Sequence, residues 1–593
     1  MKKIFALVLA VVFVLALFAA CGNTPTPATP DTPSNPSTPD TPSNPSTPDT
    51  PDTPDTPDTP ATPDGPFAVD DKGIATEPYE WPLPLTEDDD TVLTYWWSTY
   101  SPQYIPADKE YGDTELPQKV KELTGVNVEW QNIPNGSRQE MFGVLLASDD
   151  LSDMMHYATA YYPGTPLQMV EDGYFVNVLD YKDCMPNYLY QAKWRDPADK
   201  ATYESVFYED DLVPVIWSMW ADPIQTDTGW GVRADMLEKI GKKPSDLKTW
   251  DDFYEALKGI KATIDTVEFP MWMSSMIETN HYWQFNSFEN ISVITTIALP
   301  IIFYRDGELV MGCTSEGDRQ YAEYMSKLFS EKLVNPDWQA YFFGQAFSAH
   351  TYNNETFYQG IAPTYKDTNK QTNDPNCDWQ PVQKPLQTPD QVVHAGTVRS
   401  RTATGNICVA AKNHDVELCL KWCDFRFAPN GWELFAYGPE GLVVEKDANG
   451  VRHNTEWAMS KPDGMELSGL MSLYTASRLV EALMCVEDSM YLNEDGHFAM
   501  EAIDFWTNFD KEHYDRAGAL PLGVRLSTDQ SEEVGKYRAD LITYVAEQFA
   551  GFVEGSNPMS NWDSYQATLD QMGRQEVLAI YQEAVDDYNA KNG

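Results

Sequence analysis

A proline at almost every third position is the strongest constraint that this sequence places on its own folding. From 23 to 66 the chain is built almost entirely from Thr, Pro, Asp, Ser and Asn. Polyproline II has three residues per turn and no internal hydrogen bonds, and this stretch has almost no apolar side chains from which a core could form. It therefore predicts a disordered stalk that reaches on the order of 130 Å when fully extended, with folded structure only after it.

The residues before the stalk have the pattern of an export signal. Lys2 and Lys3 precede an apolar run from Ile4 to Phe18, shorter than the ~20 residues of a membrane span. The stretch 17–22 (LFAACG) resembles a bacterial lipobox, which implies a signal peptide at 1–20, cleavage before Cys21 and lipidation of the Cys21 sulfur. An uncleaved N-terminal anchor is the alternative. Either alternative places the body outside the cytoplasm, at the surface of a membrane.

Charge, length and cysteine spacing exclude several classes of protein. The 593 residues carry 91 acids and 41 bases, a net charge of −50, whereas a nucleic-acid-binding face must be basic. The length predicts at least two domains or one large two-lobed body. Beyond Cys21, seven scattered cysteines predict small buried hydrophobes rather than a disulfide framework or a zinc site. No metal site and no cofactor are expected, although the absence of a clean EF-hand loop leaves calcium binding open.

The body begins near Asp88 with strands and helices in alternation. Strand patterns lie at 91–98, 126–131 and 153–157, and helical patterns lie between them at 116–123 and 137–147. This order predicts an α/β fold in which right-handed crossovers connect the strands of a buried parallel sheet.

Ligands of such sheets bind beyond the carboxyl ends of the strands. This rule places Trp97 and Tyr100, which follow or end the first strand, at a candidate site. Core packing is the alternative. It is expected of Trp96 or of Trp97 but not of both, because neighbouring residues of a strand face opposite sides.

A second α/β unit carries sequence blocks that resemble a known family. Residues 231–237 (GVRADML) followed by 248–253 (KTWDDF) resemble the R-x-D-x-L … T-W-x-E/D signature of extracellular solute-binding proteins. Further blocks agree in order, at 306–310 with 328–337, at 406–427, at 437–441 and at 562–581. Together, over about residues 88–593, they resemble the large lipoprotein subgroup of the oligosaccharide-binding, maltose-binding-protein-like family of Gram-positive bacteria.

The resemblance implies a periplasmic-binding-protein-like fold of two α/β lobes joined by crossing hinge strands, which close around a ligand. It implies a first lobe at 88–212 plus 395–440 and a second at 213–394 plus 441–593, with 67–87 as a connecting segment. It also implies a monomer on the extracellular face of the cell membrane that delivers a solute to the permease subunits of an ABC importer.

Aromatic side chains are the main ligand-binding candidates, because rings cover the apolar faces of sugars at a low entropic cost, while amides and Arg bind hydroxyls. The expected binding residues are Trp97, Tyr100, Trp217, Trp220, Arg233, Trp283, Asn286 and Tyr365. Core or surface packing is the alternative for each of them, and Arg233 is equally suited to cap the end of its strand. The net charge of −50 favours a neutral oligosaccharide over a polyanion, unless a local patch of Arg399 and Arg401 overrides it.

Enzyme motifs are weak. Residues 229–234 (GWGVRA) fit G-x-G-x-x-A formally, but Trp230 would crowd a pyrophosphate and no strand-end acid follows at the required distance. No nucleophile elbow, zinc-protease motif or P-loop occurs. The resemblance therefore implies a transport receptor, and no motif of the sequence supports an enzyme. The alternative is a cell-surface glycan-binding lectin, or a glycoside hydrolase whose pair of carboxylates has no sequence signature.

Overall fold

The computed structural model describes most of the chain that follows the stalk. The described residues are 66–97, 102–220, 229–273, 286–294, 299–340, 357–361, 376–412, 415–465, 467–476, 485–486 and 500–592. The predicted signal peptide, the predicted lipidation site Cys21 and the predicted stalk up to residue 65 lie outside the described residues. Three predicted binding residues, Tyr100, Trp283 and Tyr365, also lie outside them.

The described strands have the following bounds. They are β1 (Val92–Trp97), β2 (Asn127–Asn132), β3 (Met154–His156), β4 (Ile216–Trp220), β5 (Gly229–Arg233), β6 (Met271–Trp272), β7 (Ile302–Arg305), β8 (Glu308–Met311), β9 (Phe357–Ile361), β10 (Trp379–Val382), β11 (Thr402–Val409), β12 (Val444–Lys446), β13 (Arg452–Asn454) and β14 (Cys485–Val486).

The described α-helices alternate with β1, β2 and β3, form a run of four between β3 and β4, and follow one another in the last hundred residues. They are α1 (Glu115–Thr124), α2 (Arg138–Ser148), α3 (Ala158–Tyr161), α4 (Pro166–Glu171), α5 (Pro186–Lys193), α6 (Lys200–Val206), α7 (Ala234–Glu238), α8 (Trp250–Thr263), α9 (Glu316–Ser330), α10 (Val416–Asp424), α11 (Trp432–Tyr437), α12 (Glu456–Met459), α13 (Leu467–Tyr474), α14 (Met500–His513), α15 (Thr528–Glu554), α16 (Trp562–Gln571) and α17 (Arg574–Asn592).

The first lobe is built on a mixed sheet with the strand order β14-β4-β11-β3-β1-β2 among the described residues. The predicted β-α-β-α-β unit is confirmed, since β1 pairs in parallel with both β2 and β3. Only β11 runs against its neighbours β3 and β4. Both faces of the sheet are covered, so that Tyr95 and Trp97 of β1 pack into one core and Trp96 into the other. The expectation that only one of the two tryptophans is buried is therefore wrong.

The second lobe has its own sheet, with the order β10-β5-β9-β6, and its own core. Strand β5 is fully buried, and it pairs antiparallel with β10 and β9. Helix α14 lies close against β5, because a Cβ atom on Gly229 would stand 2.2 Å from the Trp506 ring. Glycine at this position permits the approach. The α/β class and the two-lobed architecture are thus both present.

Local sequence signals set several helix and strand ends. Thr249 and Asp252 form the predicted capping box at the start of α8, with each accepting a backbone hydrogen bond from the other. Gly125 adopts a left-handed conformation (φ 71°) directly after α1. The predicted hairpin is also present, because Asp306 and Gly307 both have positive φ between β7 and β8.

The boundaries between the lobes lie at positions other than those expected. Residues 213–220 and 441–476 were assigned by the sequence to the second lobe. In the structure β4 is hydrogen-bonded within the first sheet, and Val443, Leu470 and Ala476 pack into the first core. The chain thus leaves the first lobe only after Trp220, because a strand in the middle of a sheet cannot be divided from it.

Six of the cysteines, Cys184, Cys313, Cys377, Cys408, Cys419 and Cys423, are buried free thiols. This agrees with the prediction of small buried hydrophobes for these positions. Among the described helices, none has both the length and the apolar character that crossing a membrane would require.

Candidate functional site

The edge of the first sheet that leads into the second lobe is the candidate site. Because β1, β3 and β4 are parallel, their carboxyl ends lie at one edge, where antiparallel β11 begins. The chain passes between the lobes at this edge after Trp220, along residues 383–401 from β10 to β11, and after Val486, where parallel β14 ends before α14. We call this edge the interlobe edge and residues 383–401 the crossing segment.

Trp97 ends β1 at the interlobe edge, but its side chain belongs to the core. It is 1% exposed, and its ring centroid lies 4.1 Å from that of Tyr111 and 5.4 Å from that of Trp130. In this structure the Trp97 ring packs inside the first core beneath the interlobe edge, and neither face of the ring is accessible to a ligand.

Trp217 and Trp220 lie on β4, which leads to the interlobe edge. Trp217 is half-buried between two cores, and its backbone N–H donates to the Tyr188 hydroxyl (3.0 Å). Trp220, 8% exposed, is the last residue of the strand, and its N–H donates to the Arg401 carbonyl (2.7 Å). Of the two, Trp220 lies nearer to the gap between the lobes.

Arg233 and Asn286 are both buried in the second lobe. Arg233 is 0% exposed and its guanidinium binds both carboxylate oxygens of Asp235 at 2.7 Å. Asn286, 1% exposed, donates to the Ala395 carbonyl (2.9 Å) and thereby holds the crossing segment. Arg233 thus pairs with Asp235 beside the end of β5, and the ligand-binding roles expected of Arg233 and Asn286 stay predictions.

A further group of polar and aromatic residues lies at the end of β3. None of these residues is among the binding residues expected from the sequence. Tyr157, directly after the strand, has φ 61° and donates its N–H to the Asn406 carbonyl of β11 (2.9 Å). The Arg138 guanidinium lies 5.9 Å from the Tyr157 ring centroid and donates to the Tyr161 hydroxyl (3.3 Å). The sequence does contain a signal for this group, because the aromatic residue Tyr157 directly follows a parallel strand. Tyr157 and Tyr161, both half-exposed, can present ring and hydroxyl to a sugar.

Arg401 anchors the crossing segment in the first lobe. It is 2% exposed, and its guanidinium donates to Asp199 Oδ2 (3.0 Å), to the Trp220 carbonyl (3.3 Å) and to both oxygens of Gln191. The guanidinium is therefore occupied by protein acceptors, and it does not contribute to a cationic ligand patch.

A buried charge cluster anchors the other end of the crossing segment in the second lobe. Lys384, 0% exposed, donates to Asp510 of α14 (2.6 Å), which also pairs with Arg516 (3.1 Å) and Arg399 (3.7 Å). Burial lowers the pKa of Lys384 to about 8, against the attraction of Asp510. Burial would raise the pKa of Asp510, but the three cations hold it below its ordinary value.

A large cavity, of about 1300 Å³, lies elsewhere between the lobes. Its first-lobe lining includes residues 207–211, which precede β4 and so lie beyond the end opposite to the interlobe edge. Arg525 of the second lobe donates there to the Phe207 and Tyr208 carbonyls (3.0 Å each), and Glu204 accepts from Tyr588 (2.5 Å). These bonds tie the lobes together beside the cavity.

The described residues contain no group of three or more His, Cys, Asp or Glu side chains arranged to hold a metal ion.

Comparison with known proteins agrees with this architecture. No protein-family model matches the chain. It is 22% identical over 522 residues to the fructooligosaccharide ABC transporter substrate-binding protein FusA of Streptococcus pneumoniae serotype 4 (strain ATCC BAA-334 / TIGR4), covering 81% of this chain and 88% of the relative.

Two solved structures share the fold. An HMO-binding, ABC-transporter-associated solute-binding protein from Bifidobacterium longum infantis has a TM-score of 0.64 at 17% identity, covering 84% of this chain and 99% of that one. The alginate-binding protein AlgQ2, solved without calcium ion, has a TM-score of 0.62 at 18% identity, covering 85% and 99%. The predicted resemblance to solute-binding proteins of ABC importers and the predicted two-lobed fold are confirmed.

Proposed function

We propose that the chain is a membrane-anchored extracellular receptor that binds an oligosaccharide between its two lobes and delivers it to an ABC permease. The observation that carries the proposal is the interlobe edge, where the carboxyl ends of parallel strands meet the connections to the second lobe. Ligands of α/β sheets bind at such positions, and the chain is similar throughout its body to substrate-binding transport proteins. Lipidation of Cys21, a monomeric state and closure about the crossing segment belong to the same proposal.

A neutral oligosaccharide is the ligand class that we propose. The net charge of −50 repels polyanions at long range. Arg401, which could have provided a compensating positive patch, donates its guanidinium to Asp199, Gln191 and Trp220 instead. FusA, the relative with 22% identity, is described by its name as binding fructooligosaccharide.

A ligand panel tests this function. Thermal unfolding is measured with a neutral fructooligosaccharide, a neutral milk-type oligosaccharide and an alginate oligosaccharide, and chromatography follows the length of each glycan. We expect a neutral glycan to stabilise the protein, by about 2.7 kcal/mol at a hundredfold excess over Kd, and to remain intact. Shortened glycans would instead support the hydrolase alternative, and stabilisation by the alginate oligosaccharide alone would contradict the neutral class.

Trp220→Ala is expected to weaken binding of that oligosaccharide about tenfold or more, because a ring at the end of β4 would be lost from the edge that faces the ligand. Calorimetric titration well below the unfolding temperature separates this loss from destabilisation. Trp457→Ala is the control, since Trp457 is 39% exposed on α12 and should not affect affinity. Wild-type affinity in Trp220→Ala would remove Trp220 from the proposed site.

A further inference from the structure

A buried arginine in the first lobe has aromatic neighbours but no counterion. Arg426 follows α10 and is 2% exposed. Its guanidinium carbon lies 4.0 Å from the Trp422 ring centroid, 5.0 Å from that of Phe435 and 5.7 Å from that of Tyr95. Among the described residues no carboxylate pairs with it. The nearby Asp424 is itself occupied by Trp81, Asn187 and the Tyr188 N–H at 2.7–2.8 Å.

Several hydrogen-bond donors around Arg426 also lack acceptors. The Nε and Nη2 atoms of Arg426, the Trp422 Nε1 and the Tyr95 hydroxyl are buried without a hydrogen-bond partner in the described structure. The rings of Tyr95 and Trp422 lie 5.8 Å apart, and both are 0% exposed. This cluster thus combines a positive charge and several buried donor atoms with one neutral acceptor, the Tyr95 hydroxyl beside the guanidinium, and its three side chains provide no anionic acceptor.

Such a cluster is costly in a protein interior. A buried donor without an acceptor is destabilising, and more so when it is charged. Cation–π contacts offset only part of this destabilisation. Arg452 shows the ordinary solution, since it also stacks on a ring, that of Tyr437 at 4.0 Å, but pairs with the Glu433 carboxylate.

We propose that a small monovalent anion of the halide class binds in the first lobe against Arg426, Trp422 and Tyr95. An anion supplies both the missing negative charge and an acceptor for these donors. A cavity of about 220 Å³ reaches the cluster at Trp422, which is one of its lining residues. The lining also includes Glu110, Asp113 and Glu129, and these carboxylates repel a divalent anion about twice as strongly as a monovalent one, which favours the monovalent ion of the two.

The test compares thermal unfolding of the whole chain in sodium fluoride, chloride and bromide at equal, low ionic strength. Exclusion of solutes from the protein surface would favour the strongly hydrated fluoride. A halide site reverses this order of unfolding temperatures, because fluoride loses more hydration free energy than chloride or bromide when it is buried. We expect chloride and bromide to raise the unfolding temperature above its value in fluoride by about 2 °C or more.

Arg426→Met should abolish this difference between the halides. Arg452→Met is the matched control, because it removes a stacked arginine that already has a carboxylate partner, and it should retain the difference. Crystals of the unaltered protein grown with bromide should show an anomalous peak at Arg426, which requires no variant to fold. Equal unfolding temperatures in all three halides, or a water molecule in place of the peak, would overturn the proposal.

Discussion

Asp510→Asn is expected to lower the free energy of unfolding by about 3–5 kcal/mol, because it leaves buried cations without their anion. Asp510 is 5% exposed and is the shared partner of Lys384, Arg516 and Arg399. Urea unfolding of the variant against wild type measures the loss. Asp515→Asn is the control, since Asp515 pairs with His394 in an exposed position and should contribute about 1 kcal/mol at most.

The loss should also depend on pH. Lys384 has a folded-state pKa of about 8, below its ordinary 10.5. Between these values the unfolded chain holds more protons, so raising the pH favours the folded state. Asp510 raises the pKa of Lys384. Without Asp510 this pKa falls, so the gain in stability should begin at a lower pH. Asp510→Asn should therefore lose less stability at pH 9.5 than at pH 7. An equal loss at both values, or one no larger than that of Asp515→Asn, would contradict this account.

Arg401→Met is expected to cost about 3 kcal/mol or more and to weaken oligosaccharide binding as well. The change removes the Arg401 donor from Asp199 Oδ2 and from the Trp220 carbonyl, and it leaves Gln191 Oε1 with Arg195 as its donor. It also frees the point at which the crossing segment joins β11. The two lobes should then lose the relative orientation that ligand binding requires. Urea unfolding and calorimetric titration measure the two effects.

Two further variants separate this role from a general loss of packing. Arg195→Met removes another donor to Gln191 Oε1 (3.2 Å), but from a half-buried side chain, so it should cost about 1 kcal/mol at most. Arg401→Lys keeps the positive charge but not the planar guanidinium. We expect its loss of unfolding free energy to lie between those of Arg195→Met and Arg401→Met. If Arg401→Met were no worse than Arg195→Met, the crossing segment would not depend on this anchor.

Local patterns predicted the elements of the fold well. The strands β1, β2 and β3, the helices between them, the capping box at Thr249 and the turn at Asp306 and Gly307 all lie within a residue or two of their expected positions. Each depends on hydrophobic period or on backbone chemistry within a few residues, and such signals are contained in the sequence itself.

The site was harder to predict, because burial depends on what covers each face. Trp96 and Trp97 are both in cores, since both faces of the first sheet are covered. Arg401 appeared available for a ligand, yet its partner Gln191 is 210 positions away in the chain. No local pattern indicates a contact over that distance.

The sequence by itself determined that the body is α/β and that it resembles a solute-binding protein, whereas export and the stalk stay predictions. These follow from composition, periodicity and ordered motifs, which act over short stretches of chain. Only the tertiary structure decided that 213–220 and 441–476 belong to the first lobe and that Arg401 and Lys384 anchor the crossing segment. Such assignments arise from packing and ion pairing between residues that meet only after the chain has folded.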